Sequence, residues 1–161
     1  KLEPSNLSNA FREYYSKEGI FQAKLLRGVS KKLNELASEG FKLGIITSKK
    51  QELAEKLVEN LQIRQYFEYI IGETEERRQL GKLDPSIKSE LNIKYPNQQI
   101  IVIGDHPKDV LLSNNLDCPF IGVLTGHFSS NQLREYKKDR IIVIKNIEKL
   151  NWKVIKSIIE Q

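Results

Sequence analysis

Alternating strand and helix signals predict an α/β fold, a mostly parallel sheet with helices on both faces. Two observations carry this. Short apolar runs at residues 100–103, 120–124 and 141–144 have the length and β-branched content of strands covered on both sides. Segments with apolar residues at helical spacing lie between them, so neighbouring strands are joined by crossovers rather than hairpins.

Residues 5–16 place Leu7, Phe11, Tyr14 and Tyr15 on one helical face, and the Ser-Lys-Glu-Gly stretch at 16–19 ends that helix. Val29, Leu33, Leu36 and Ala37 give the next helix, over 28–39, closed by Gly40. The run Phe-Lys-Leu-Gly-Ile-Ile-Thr-Ser at 41–48 is a strand ending in Thr47 and Ser48. Leu53, Ala54, Leu57, Val58 and Leu61 form a second helical stripe, and Tyr69 to Ile71 with Gly72 make a short strand and turn. Asp84-Pro85-Ser86 opens a helix carrying Ile87 and Leu91. The strand at 100–103 leads into a helix opened by Val110, Leu111 and Leu112. After the strands at 120–124 and 141–144, Ile147, Leu150, Val154, Ile155 and Ile158 form an amphipathic tail helix.

Composition bounds the class. The chain has 161 residues, within the range of one domain, and 39% hydrophobic against 29% charged residues excludes disorder. No stretch approaches the roughly 20 apolar residues of a spanning helix. A cytoplasmic protein is expected. Cys118 is the one cysteine, so an internal disulfide is impossible and a buried thiol is expected. The net charge of +5 is spread rather than clustered. It favours phosphorylated small molecules and does not point to a dedicated nucleic-acid function.

Polar groups at the strand ends carry the chemistry. In Ile-Ile-Val-Ile-Gly-Asp-His-Pro-Lys-Asp at 100–109 the apolar strand runs into a loop presenting Asp105 and Asp109, where ligands of open parallel sheets gather. The pair can hold magnesium; it can also simply turn the chain and cap the next helix. Thr47 and the Ser48 amide precede a helix start, a place suited to phosphate; the alternative reading of Ser48 is a helix N-cap. Lys82 is a point charge able to neutralise phosphate, or a solvated surface lysine. His106 and His127 read as turn residues.

Thr47 after Gly44-Ile-Ile, then Lys82, then Gly104-Asp105 and Asp109, resembles in order the haloacid dehalogenase-like phosphohydrolases, and most of all their phosphoglycolate-phosphatase-like branch. The segment from Phe120 to Gly126 and the following Gln132-Leu-Arg-Glu are similar to that family's next strand, glycine turn and short helix. Leu83 stands where the branch usually has proline. The resemblance implies a three-layer Rossmann-like core over residues 26–161, preceded at 1–25 by the end of a helical cap and its return linker. It implies a magnesium-dependent phosphatase acting on a small phosphate ester. Thr47 and Ser48 would bind phosphate, Lys82 would stabilise the transferring group, and Asp105 and Asp109 would hold magnesium. The alternative is a non-catalytic binding or scaffolding module on the same fold.

The family's first motif, a strand ending in Asp-x-Asp, is missing. The aspartates are Asp84, Asp105, Asp109, Asp117 and Asp139, and no two are separated by a single residue. In the resembling fold that strand is central, and its loss would leave rows of backbone groups unpaired at about 1–3 kcal/mol each. An upstream segment, a partner chain that supplies the strand, or a rearranged sheet would resolve this. A chain that starts at Lys1 and contains no methionine is expected to be a fragment of a longer polypeptide with the strand upstream.

Overall fold

The structure, a computed structural model, describes Tyr14 and residues 18–161. It divides into two compact units, Lys1–Glu76 and Arg77–Gln161. Apart from Tyr14, the helix expected over residues 5–16 lies outside the described residues.

In the first unit a helical turn, Ile20–Gln22, buries Ile20, whose carbonyl accepts a hydrogen bond from Asn60 Nδ2 at 3.4 Å. Helix α1, Val29–Ser38, ends as expected at Gly40, where the Gly40 and Phe41 amides bond back to Ala37 O and Leu36 O. Strand β1, Leu43–Lys50, helix α2, Gln51–Asn60, and strand β2, Phe67–Glu73, complete a parallel β1–α2–β2 arrangement. Ala54 and Val58 of the expected stripe are the buried residues of α2.

The ladder shifts register once between Leu43↔Phe67 and Gly44↔Tyr69, runs evenly from there to Ile46↔Ile71 and resumes at Lys50↔Glu73, so β1 advances from 46 to 50 while β2 advances from 71 to 73. Residues Thr47, Ser48 and Lys49 therefore bulge from the sheet. Gln51 repairs the gap. Its Oε1 accepts the Gly72 N–H at 2.5 Å, and its Nε2 donates to Ile70 O at 2.9 Å and Glu55 Oε1 at 2.7 Å. The expected turn at Gly72 is thus a position inside β2. Glycine is needed there for space: a methyl would lie 2.6 Å from Gln51 Cα, and 2.8 Å from both Gln51 N and Lys49 O.

In the second unit a helical turn, Gly81–Leu83, precedes α3, Ser86–Lys94; β3, Val102–Gly104, runs to α4, Pro107–Asn115, and β4, Phe120–Val123, to α5, Ser130–Arg134. Then come β5, Ile141–Ile144, and α6, Trp152–Ile159. The three strands form a parallel sheet of order β3-β4-β5, paired Val102↔Phe120 and Phe120↔Ile141 at its start. Phe120 and Ile121 point to opposite faces and both are 0% exposed, so β4 is covered on both sides. Ile87, Leu91, Val110, Leu150 and Ile158 complete this core. Ile103 of the edge strand β3 stays 40% exposed. Among the described residues β1 has one strand partner, β2, and β3 has one, β4.

Several boundaries differ from the sequence reading, two of them in the second unit's strand and tail helix. The strand expected from residue 100 begins at Val102. The tail helix is split: Ile147–Lys149 is a separate turn, because Asn151 Oδ1 accepts the Val154 N–H at 3.1 Å and starts α6 afresh. Cys118 is buried as expected, 4% exposed, and burial pushes its thiol up to about 11. Among the described residues no helix is long and apolar enough to cross a membrane.

Near the start of β5, Arg140 Nη2 donates to Asp117 Oδ1 at 2.6 Å, and this bond holds the Asp117 carboxyl below its usual range. A carboxylate lowered in the folded state adds stability above its unfolded pKa, and that stability is lost as pH falls through the folded pKa. Urea midpoints of Arg140→Gln should therefore lie below the parent's at neutral pH, and the gap should narrow on acidification as Asp117 is protonated; a gap that does not change with pH contradicts the assignment. Gly72→Ala should lose about 1–3 kcal/mol in urea unfolding, since its new methyl meets backbone that cannot rotate away. An unchanged midpoint would exclude the close packing of β2 on Gln51.

Candidate functional site

The Thr47 segment is the bulge of β1. Thr47 Oγ1 accepts the Lys49 N–H at 3.2 Å, which folds the residues between into a tight local turn. Ser48 is exposed. The helix start that the sequence places at Ser48 is displaced: strand pairing resumes at Lys50, which occupies the N-cap position of α2 without a side-chain cap. Ser48 is therefore not a cap, and its amide lies ahead of the helical turn instead of in it.

In the second unit the structure brings Lys82 and Asp109 together. Lys82 Nζ donates to Asp109 Oδ1 at 2.6 Å, with each side chain only 13% exposed. The lysine turn is tied down on both sides. The Gly81 N–H donates to Arg77 O at 2.6 Å, and Asn115 Nδ2, at the end of α4, donates to Leu83 O at 3.1 Å. Arg77 also bonds Ser86 Oγ at 3.2 Å and pairs with Glu90 of α3. Lys82 is thus a held, largely buried cation and not a solvated surface lysine.

Asp109 is held from its other oxygen. Oδ2 accepts the His106 N–H at 3.1 Å, while His106 Nδ1 accepts the Lys108 N–H at 3.0 Å, so the two residues form a capping box at the start of α4. Gly104 lets the carboxylate pack this closely: a methyl there would come within 2.5 Å of both Asp109 Cβ and Oδ2. His106, expected as a solvent-facing turn residue, instead caps the helix and packs edge-on against Phe128, with ring centroids 4.7 Å apart.

Asp105 follows β3 directly and lies against Gly126 of the loop after β4. Among the described residues its carboxylate has no ion-pair or hydrogen-bond partner, and no three carboxylate, imidazole or thiolate groups gather to hold a metal ion. Each Asp109 oxygen already accepts one hydrogen bond, from Lys82 or the His106 amide, so among the described residues Asp105 is the less engaged carboxylate of the two. Magnesium takes one or two protein carboxylates and fills its remaining positions with water and substrate oxygens, so Asp105 fits that ion as a partial site.

The His-Pro-Lys-Asp pattern, with Pro107 at the first helical position and an acid at the third, is a legible capping signal. No local signal announces the pairing of Lys82 with Asp109 or the packing of Asp105 on Gly126.

The family model for haloacid dehalogenase-like hydrolases matches residues 1–123. The chain belongs to this family. A relative from Caldanaerobacter subterraneus subsp. tengcongensis, provisionally named the pyrophosphatase PpaX, is 26% identical over 82% of the chain and 60% of its own length. The phosphoglycolate phosphatase of Shigella boydii is 29% identical over 75% of the chain and 48% of its own length. The solved structure of a haloacid dehalogenase-like family hydrolase from Streptococcus pneumoniae superposes with a TM-score of 0.75 at 28% identity, covering 91% of this chain and 70% of that one. The chain spans 48–60% of the length of these two curated relatives. The sequence resemblance to the haloacid dehalogenase-like fold, and to its phosphoglycolate-phosphatase-like branch, is thereby confirmed.

Lys82→Met keeps the length of the side chain and removes its charge, leaving Asp109 largely buried without a cation. Chemical unfolding should show a loss of about 3–5 kcal/mol, much of it recovered in Lys82→Met/Asp109→Asn. Wild-type stability in the single variant would show that the ion pair does not hold the turn.

Proposed function

We propose that this chain is the larger part of a phosphoric monoester hydrolase that acts on a small phosphate ester with magnesium. In this reading residues 26–161 are its core and residues 1–25 the end of a helical cap and return linker. The nucleophilic aspartate stands on a strand outside this chain, upstream or on a partner, and the protein works in the cytoplasm. One observation carries the reading: the largely buried Lys82–Asp109 pair in the same unit as Asp105, which directly follows β3 and has no partner among the described residues. As a stability device such a pair is poor, because its desolvation cost offsets much of its attraction. As a means of holding an ammonium group in place it is effective.

The residues then divide the work. Thr47 Oγ1 and the Ser48 amide hold phosphoryl oxygens. Lys82, oriented by Asp109, stabilises the negative charge shared by the attacking carboxylate and the transferring phosphoryl group. His106 fixes Asp109 through its backbone amide, so its part is structural. Asp105 holds the cation. Magnesium, when bound, neutralises phosphoryl oxygens. The covalent step joins the aspartate oxygen to phosphorus and releases the alcohol; water then cleaves the aspartyl-phosphate to inorganic phosphate.

The longest native polypeptide carrying this chain should hydrolyse a generic phosphate ester in magnesium. Asp105→Asn should lower kcat by about 100–1000-fold with folding intact, and Lys82→Ala by a similar factor. A complete polypeptide with an upstream Asp-x-Asp strand that binds phosphate but turns nothing over would favour the non-catalytic module and overturn this function.

A further inference from the structure

We propose that Gly126 is a positioning residue for Asp105, its missing side chain forming the slot in which that carboxylate rests. The inference rests on the reading of Asp105 as the cation ligand. A methyl at Gly126 would overlap Asp105 Oδ2, and would stand 2.8 Å from Asp105 Cγ and 3.2 Å from Asp105 Cβ. All three of these nearest atoms belong to one side chain. The backbone does not demand glycine here, because Gly126 is absent from the positive-φ glycines Gly28, Gly40 and Gly81. What a methyl would meet instead is the Asp105 side chain, which would have to move to make room.

The slot explains how Asp105 is held. Among the described residues its carboxylate lacks a hydrogen-bond or ion-pair partner, so contact with the bare Cα of Gly126 restrains it instead of donors that would consume its oxygens. Among the described residues no donor occupies its oxygens, and Gly126 is exposed. Asp109 offers the contrast: it packs on Gly104, but each of its two oxygens accepts a hydrogen bond, from Lys82 or the His106 amide. Two bare backbone positions thus seat two carboxylates of different use, one a counterion and one a ligand.

The test uses the full-length polypeptide and two readouts. In titration calorimetry with magnesium alone, Gly126→Ala should bind about 10–100-fold more weakly than the parent. In urea unfolding without metal, Gly126→Ala should lower the midpoint when Asp105 is present and leave it unchanged in an Asp105→Ala background, where the methyl has space. Equal midpoint shifts in both backgrounds, or unaltered magnesium affinity in Gly126→Ala beside weakened affinity in Asp105→Asn, overturn the proposal. If Asp105→Asn binds magnesium as tightly as the parent, the cation reading fails, and the unfolding cycle still judges the slot. Should Gly126→Ala alone not fold, the double variant must fold for the slot to stand.

Discussion

The carboxylate of Asp109 is the point on which the second unit's site depends. It starts helix α4 by accepting the His106 amide, and with its other oxygen it holds Lys82 across 27 positions of sequence. Helix initiation and placement of the site lysine are thus one interaction, and disturbing the helix start moves the cation. Gly104, the last residue of β3, allows the close packing and ties both to the strand end. Strand, turn and helix converge there because one side chain satisfies a donor from each side of it.

The β1–α2 junction of the first unit solves a different problem. Thr47 to Lys49 leave the ladder, which frees the threonine segment from strand pairing but breaks the hydrogen bonding with β2. The side-chain amide of Gln51 replaces what is lost, bonding both the Gly72 N–H and the Ile70 carbonyl. A side chain with one donor and one acceptor can imitate a peptide group, and Gln51 does so here. The bulge is stabilised from within its own unit, so the segment proposed to bind phosphate is preformed.

Asp105 and Asp109 illustrate how similar residues on one loop acquire different work. Both follow β3, both rest on a glycine Cα, and they are separated by a single turn of chain. Asp109 accepts from an ammonium and an amide, while Asp105 has no hydrogen-bond or ion-pair partner among the described residues. A carboxylate so engaged orients other groups; a less engaged one is open to a cation. In the function proposed for the chain, this difference serves phosphoryl transfer.

Periodicity and strand-end chemistry were enough to read most of the fold from the sequence alone. The apolar runs became β3, β4 and β5, the stripes over 28–39 and 53–61 became helices, and the parallel arrangement followed from the crossovers. The order Thr47, Lys82, Asp105, Asp109 was legible because each residue lies close to a strand end, turn or helix start, where local pattern and position coincide. Boundaries were less legible: the bulge after Ile46, the place of Gly72 inside β2 and the split before α6 arise from side chains that compete with backbone groups, Gln51 and Asn151 among them. Tertiary structure alone decided that Lys82 meets Asp109 and that Gly126 seats Asp105. Both are contacts between residues far apart in the chain, where closeness is set by packing of the sheet and helices and leaves no periodic trace in the sequence.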